Sequence, residues 1–166
     1  VHADDRWFVG PGNGLFEVVM RRASRARCWQ VDWRPPQLSA TFHGRDLFAP
    51  VAARLARGET PPCAFLSELA GDALRRPDWP DDLARILYID SYGNAVSGLR
   101  AATVTAGARI RIGSLAIASA RTFADVAAGQ PFWYENADGL LEIAVNRGRA
   151  AALPGIIPGA ALSVAE

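Results

Sequence analysis

Lysine is absent from this chain. All 18 basic residues are arginine, 17 acidic residues oppose them, and the formal charge is +1. So even a balance excludes both the basic footprint of a nucleic-acid binder and the acidic run of a solvating tail. Cysteine is scarce too. Cys28 and Cys63 are too few for a disulfide framework and lack the paired spacing of a zinc site, so both are expected to be buried small apolar side chains, and no metal is expected. No apolar run approaches the roughly 18 residues that cross a bilayer. No basic stretch followed by an apolar one opens the chain. No membrane partner and a cytoplasmic location are expected. The arginine bias is read as codon composition, and Arg21, Arg22, Arg25 and Arg27 as a solvated helix face.

What is present suffices for a folded core. The 166 residues are 50% hydrophobic, with a mean hydropathy near zero, which fits one or two soluble domains. The densest chemistry lies in Thr41-Phe42-His43-Gly44-Arg45-Asp46. Leu47, Val51 and Leu55 follow at i, i+4 and i+8, and Gly58 stands where a helix end wants positive φ. The spacing predicts a helix from about Asp46, with Asp46 as N-cap and Pro50 in the first turn. The polar quartet would then lie just ahead of a helix N-terminus, which attracts anions.

Along the chain, Trp7-Phe8-Val9 predicts a short strand ending in the turn Gly10-Pro11-Gly12-Asn13-Gly14. A helix over 15–25 is expected next, with Leu15, Val18, Val19 and Arg22 on one side. Cys28 to Trp33 predicts a strand, and Pro35-Pro36 an extended connection. Residues 58–80 are broken by Pro61-Pro62, Pro77 and Pro80, which places a boundary between domains 1–79 and 80–166. Beyond Asp82 short runs rich in Val, Ile and Thr alternate with glycine. Ile86–Ile89 is expected as a buried strand, with further strands at 103–105, 108–112, 114–118, 132–135, 140–145 and 161–164. The predicted fold is a partial N-terminal α/β layer followed by an all-β C-terminal domain, an antiparallel barrel or sandwich.

The His43 stretch with its continuation Phe48-Ala49-Pro50-Val51-Ala52-Ala53 resembles the S-adenosyl-L-methionine hydroxide adenosyltransferases, relatives of the fluorinating and chlorinating enzymes. Three more segments are similar to that family in the same order: Gly10-Pro11-Gly12-Asn13-Gly14, Ile89-Asp90-Ser91-Tyr92-Gly93-Asn94, and Gly139-Leu140-Leu141-Glu142-Ile143-Ala144-Val145-Asn146. The resemblance implies a C-terminal β-barrel, a homotrimer, and S-adenosyl-L-methionine or adenosine as the bound molecule, with no cofactor. It also implies that these residues form roughly the last three-fifths of a longer member. Val1 to Asp5 read as the interior of a sequence on other grounds, since a strand is expected almost at once at Trp7.

The implied reaction joins water or hydroxide to the 5′ carbon of S-adenosyl-L-methionine, giving adenosine and methionine. Charge disappears along that path, so a dry pocket with the nucleophile held in line favours the transition state. His43 is the residue suited to orient or deprotonate water near neutral pH. By resemblance Asp90 takes the amino group of the methionine part and Asn94 the adenine edge. Phe123, in a Thr-Phe-Ala-Asp-Val stretch, stacks on adenine, with Tyr92 keeping an aromatic ring beside it. Trp133 and Tyr134 would wall the pocket, backbone groups of Asn146 and Arg147 would contact adenine, and Arg45 and Asp46 would brace the His43 loop. The chain departs from the family at Gly12, where a carboxylate is usual, and at Ala137-Asp138, where a serine meets the methionine carboxylate. Those departures point to an alternative, a catalytically silent module that binds S-adenosyl-L-methionine or adenosine or serves assembly. A second alternative, a halogenase, is disfavoured by His43-Gly44 where the fluorinating enzymes carry Tyr-Ser.

Overall fold

Glycine and proline punctuate the chain so often that no helix or strand runs far. The computed structural model describes residues 1–165 and divides into two compact units, Val1–Trp79 and Pro80–Glu166. Antiparallel sheet dominates and helices are few. Among the described residues no helix is long and apolar enough to cross a membrane.

In the first unit β1 (His2–Ala3) lies between β2 (Arg6–Trp7) and β3 (Ala26–Arg27), and β4 (Trp29–Val31) pairs with β5 (Leu66–Glu68). Sheet pairing thus begins before Trp7, because Asp4 and Asp5 both take positive φ and close a tight turn. Between these strands run α1 (Glu17–Arg22) and α2 (Ala49–Ala56). The stripe expected on this helix is buried: Leu47, just ahead of α2, is enclosed, and Val51 and Leu55 pack with Phe65, with Trp7, Val9 and Val31 against them. Gly58 ends the helix at φ +90°. Cys28 is buried as expected, but Cys63 is only half-buried.

The helix expected over 15–25 is shorter and turns a different face inward. Leu15 is 62% exposed, and the buried positions are Glu17 and Met20 rather than Leu15, Val18, Val19 and Arg22. Glu17 is the reason. Its unexposed carboxylate accepts from the Arg21 guanidinium at 2.7 Å, from the Arg76 amide at 2.7 Å and from Arg75 Nε at 3.3 Å. Burial alone would push this carboxyl up; the three hydrogen bonds outweigh it and hold its pKa below the ordinary value. The arginine cluster is therefore no single solvated face. Arg21 also donates to the carbonyls of Arg76 and Trp79, and Arg27 pairs with Glu68 across the strands at 2.7 Å. Ahead of α1, Gly14 takes φ +101°, where an added Cβ would lie 2.7 Å from the Trp79 ring, so the turn requires glycine.

The second unit contains β6 (Leu83–Ile89), β7 (Ala95–Arg100), β8 (Arg109–Ile112), β9 (Leu115–Ile117), β10 (Pro131–Glu135), β11 (Leu140–Val145) and β12 (Ser163–Ala165). They form a four-stranded sheet in the order β10-β11-β7-β6 and a three-stranded sheet β12-β8-β9, all paired antiparallel. Single-residue bridges tie Arg85 to Ala161 and Ser119 to Trp133. The described ladders do not run on into a closed ring. Strand periodicity sorts the side chains. Leu141, Ile143 and Val145 of β11, Trp133 of β10 and Ile86 of β6 enter one core with Ile110, Ile112 and Ile117.

Three expectations change here. β6 is an edge strand, so Leu87 and Tyr88 stay 45% and 48% exposed and the run is not buried throughout. Residues 103–105 make no strand; Ala101–Thr103 is a 3₁₀ turn, closed by Thr103 Oγ1 donating to the Arg100 carbonyl at 2.7 Å. Trp133 packs into the core with its indole N–H on the Ala108 carbonyl at 2.9 Å, on the opposite side of β10 from Tyr134. Ile143 is fully enclosed, and Ile143→Val is expected to cost about 1 kcal/mol. A denaturation midpoint unchanged by that substitution would contradict its close packing.

Candidate functional site

Each unit carries a hollow with sequence-predicted residues at its wall. In the first unit, an apolar cleft of about 430 Å³ is lined by Trp7, Val9, Phe48 and Val51, with Arg34 and His43 as its charged or titratable side chains. The loop expected ahead of a helix is itself helical. Gly44–Phe48 is a π-helical turn continuous with α2, and the Asp46 amide donates to the Phe42 carbonyl at 2.9 Å. Asp46 is thus inside the first turn and does not cap it. Pro50 gives the physical reason: its ring would crowd the carbonyl four residues back, and the wider turn relieves that contact.

His43 starts this run, exposed, with its ring edge-on to Phe48 at 6.5 Å. Arg45 and Asp46 lie beside it and pair at 2.6 Å, and Asp46 also accepts the Ser39 amide at 3.0 Å. The Arg45 bond, then the Ser39 amide, hold the Asp46 carboxyl below its ordinary range. Arg45 lies over the Phe42 ring at 4.9 Å. Gly12 is at the wall of the same cleft and offers no carboxylate.

The second hollow, of about 790 Å³, is within the range of small-molecule sites. It lies on the side of the four-stranded sheet opposite the core. Tyr134, Glu142, Val96 and Tyr88 are directly cross-strand from one another, one from each strand, and all four line the hollow. The turn between β6 and β7 adds Asp90, Tyr92 and Asn94, and Phe123 and Arg147 complete the wall. Of the candidate residues, Asp90, Tyr92, Asn94, Phe123, Tyr134 and Arg147 are therefore brought together. Asn146 is not: its side-chain amide donates to the Val126 carbonyl at 2.7 Å and its backbone groups bond Gln130 and Gly129. These bonds engage the backbone amide and carbonyl of Asn146.

Glu142 was not singled out from sequence. It is 6% exposed and accepts from Tyr134 Oη, from Asn94 Nδ2 at 3.0 Å and from Asn136 Nδ2 at 3.0 Å. An acidic residue within Leu140–Val145, flanked by apolar side chains, was the available signal, since such a group is buried only with hydrogen-bond partners. Asp90 accepts the Asn94 backbone amide at 2.8 Å and its Nδ2 at 3.4 Å. Tyr134 stacks on Phe132 at 5.6 Å and lies 6.1 Å from Phe123. Burial, then the bond to Glu142, push its phenol well above the usual range, so it stays a donor. Ala137 and Asp138 also border the hollow. Among the described residues no group of three or more His, Cys, Asp or Glu could hold a metal ion.

Comparison with known proteins gives the family. Residues 1–64 match the family model described as SAM hydroxide adenosyltransferase N-terminal domain, and residues 84–163 that of the C-terminal domain. The chain belongs to the SAM hydroxide adenosyltransferase family. It is 38% identical to the (R)-S-adenosyl-L-methionine hydrolase of Thermus thermophilus over 96% of this chain and 67% of that one. It is 36% identical to the hydrolase of the same name from Salinispora tropica, over 98% and 66%. The chain thus spans about two thirds of the length of these curated relatives. An uncharacterized conserved protein from Thermotoga maritima superposes with a TM-score of 0.78 at 26% identity, over 99% of this chain and 69% of that one. A conserved hypothetical protein from Thermus thermophilus superposes at 0.70 with 32% identity, over 94% and 68%. Within this adenosyltransferase family chain, both hollows fall in segments that the two family models cover in large part.

Proposed function

We propose that the protein hydrolyses S-adenosyl-L-methionine to adenosine and L-methionine. One observation carries the reading: a single hollow gathers a carboxylate for an ammonium (Asp90), an amide for a purine edge (Asn94), and aromatic rings for a purine face (Phe123 and Tyr134, with Tyr92 at the mouth). Arg147 adds a cation at the rim. The names of the curated relatives support the same substrate. In the reaction the oxygen of water bonds to the 5′ carbon as the carbon–sulfur bond breaks. The electron pair goes to the sulfonium sulfur, leaving a neutral thioether, and the proton of water passes to His43 and then to solvent. Gly44 beside His43 offers no hydroxyl for a halide, which favours water as the nucleophile. Arg45 and Asp46 brace the His43 turn. A homotrimer, a β-barrel C-terminal domain over residues 80–166 and a domain boundary at 79/80 go with this reading.

Incubation with S-adenosyl-L-methionine followed by chromatography is expected to yield adenosine and methionine in equal amounts. Ala137 and Asp138 favour a second reading, a binding module without turnover, because Ala137 supplies no hydroxyl and Asp138 repels a ligand carboxylate. Heat on calorimetric titration with no adenosine released would select it. Asp90→Ala is expected to weaken S-adenosyl-L-methionine roughly 10- to 100-fold and adenosine far less, since adenosine lacks the amino group. Equal losses for the two ligands would remove Asp90 from that role.

A further inference from the structure

Asn94 is 7% exposed and has two side-chain N–H hydrogens and one carbonyl oxygen to place. Its Nδ2 lies 3.0 Å from Glu142 Oε1 and 3.4 Å from Asp90 Oδ2. Both hydrogens therefore point at carboxylates. The reverse orientation would set the amide oxygen against those two acceptors, which is unfavourable for buried groups. Glu142 cannot turn away, because Tyr134 and Asn136 donate to it as well. The amide is therefore held with only Oδ1 left to meet a ligand, as an acceptor and not as a donor.

We infer that Glu142 is a positioning residue that locks the Asn94 amide with its oxygen outward, so that the hollow selects a purine carrying a 6-amino group over one carrying a 6-oxo group. This rests on the proposed binding of an adenosyl group. A 6-amino purine offers an N–H donor to Oδ1. A 6-oxo purine sets oxygen against oxygen.

The test compares adenosine with inosine by calorimetric titration, on the unaltered chain and on Glu142→Gln. A neutral carboxamide can donate to Asn94 Oδ1, so the lock is reduced to the longer Asp90 contact. The unaltered chain is expected to prefer adenosine roughly 10- to 100-fold. Glu142→Gln is expected to bring the ratio to within about threefold of parity, with near-UV circular dichroism unchanged. A ratio that survives in folded Glu142→Gln, or equal loss of both nucleosides, would leave Glu142 a structural role only and overturn the inference. Adenosine bound with no preference over inosine in the unaltered chain would overturn it while leaving the adenosyl reading intact. Neither nucleoside bound would sink both. If Glu142→Gln does not fold, hydrogen exchange at the Asn94 side chain of the unaltered chain decides: slow exchange of both Nδ2 hydrogens is expected, and exchange at the solvent rate overturns the inference.

Discussion

His43→Ala is expected to slow adenosine release by roughly 10²- to 10⁴-fold while leaving nucleoside affinity nearly intact. An imidazole acts on water only along the reaction path, so its loss is felt in turnover more than in binding. The polypeptide around it is held independently. The turn is fixed by the Arg45–Asp46 pair and the Ser39 amide, and the helix by burial of Leu47, Val51 and Leu55. The exposed imidazole contributes little packing to either, so the substituted chain should melt close to the unaltered one. Turnover unchanged by the substitution removes His43 from the mechanism, and a large drop in melting temperature assigns it a structural role instead.

Glu17→Ala is expected to destabilise the first unit by about 3 kcal/mol. The carboxylate is unexposed and is the shared acceptor for Arg21, Arg75 and the Arg76 amide. Removing it leaves partly buried donors to be resatisfied, and a buried pair broken on one side costs more than the pair gains. Arg75 is 40% exposed and partly hydrated, which keeps the figure at the low end of that range. The pH dependence has a definite sign. The Glu17 pKa is lower in the folded chain than in the unfolded one, so its contribution is fully present above the unfolded value near 4.3 and is lost as pH falls through the folded value. Glu17→Gln keeps the shape and removes that acid-range loss. Denaturant melts at pH 7 and pH 3 should therefore differ less for Glu17→Gln than for the unaltered chain. An equal pH difference in both would contradict the charged, hydrogen-bonded carboxylate.

The turn between β6 and β7 was legible because its residue types have few other uses in that order: Asp90, Gly93 and Asn94 after an apolar run announce both the turn and its polar mouth. Tyr134 against Trp133 was not legible. Adjacent aromatic residues read alike along a strand, and only pairing with β11 turns Trp133 to the core and Tyr134 to the hollow. The short α1 escaped for a similar reason. Its apolar residues suggested one face, but Glu17 finds acceptor duty with Arg75 and Arg76, 58 and 59 positions away, and so long a separation leaves no periodic trace.

The amino-acid sequence by itself determined the family, the apolar stripe of α2, the glycine-bounded strands of the second half, and the polar residues at each turn. Those features depend on neighbours a few positions apart. Tertiary structure alone decided that Glu142 is buried among Tyr134, Asn94 and Asn136, that Asn146 bonds the segment 126–130, and that Asp46 lies within a helix it was expected to begin. Each of these depends on which groups from distant positions share a low-dielectric interior, where an unpaired polar atom is costly and its partner therefore fixes its orientation.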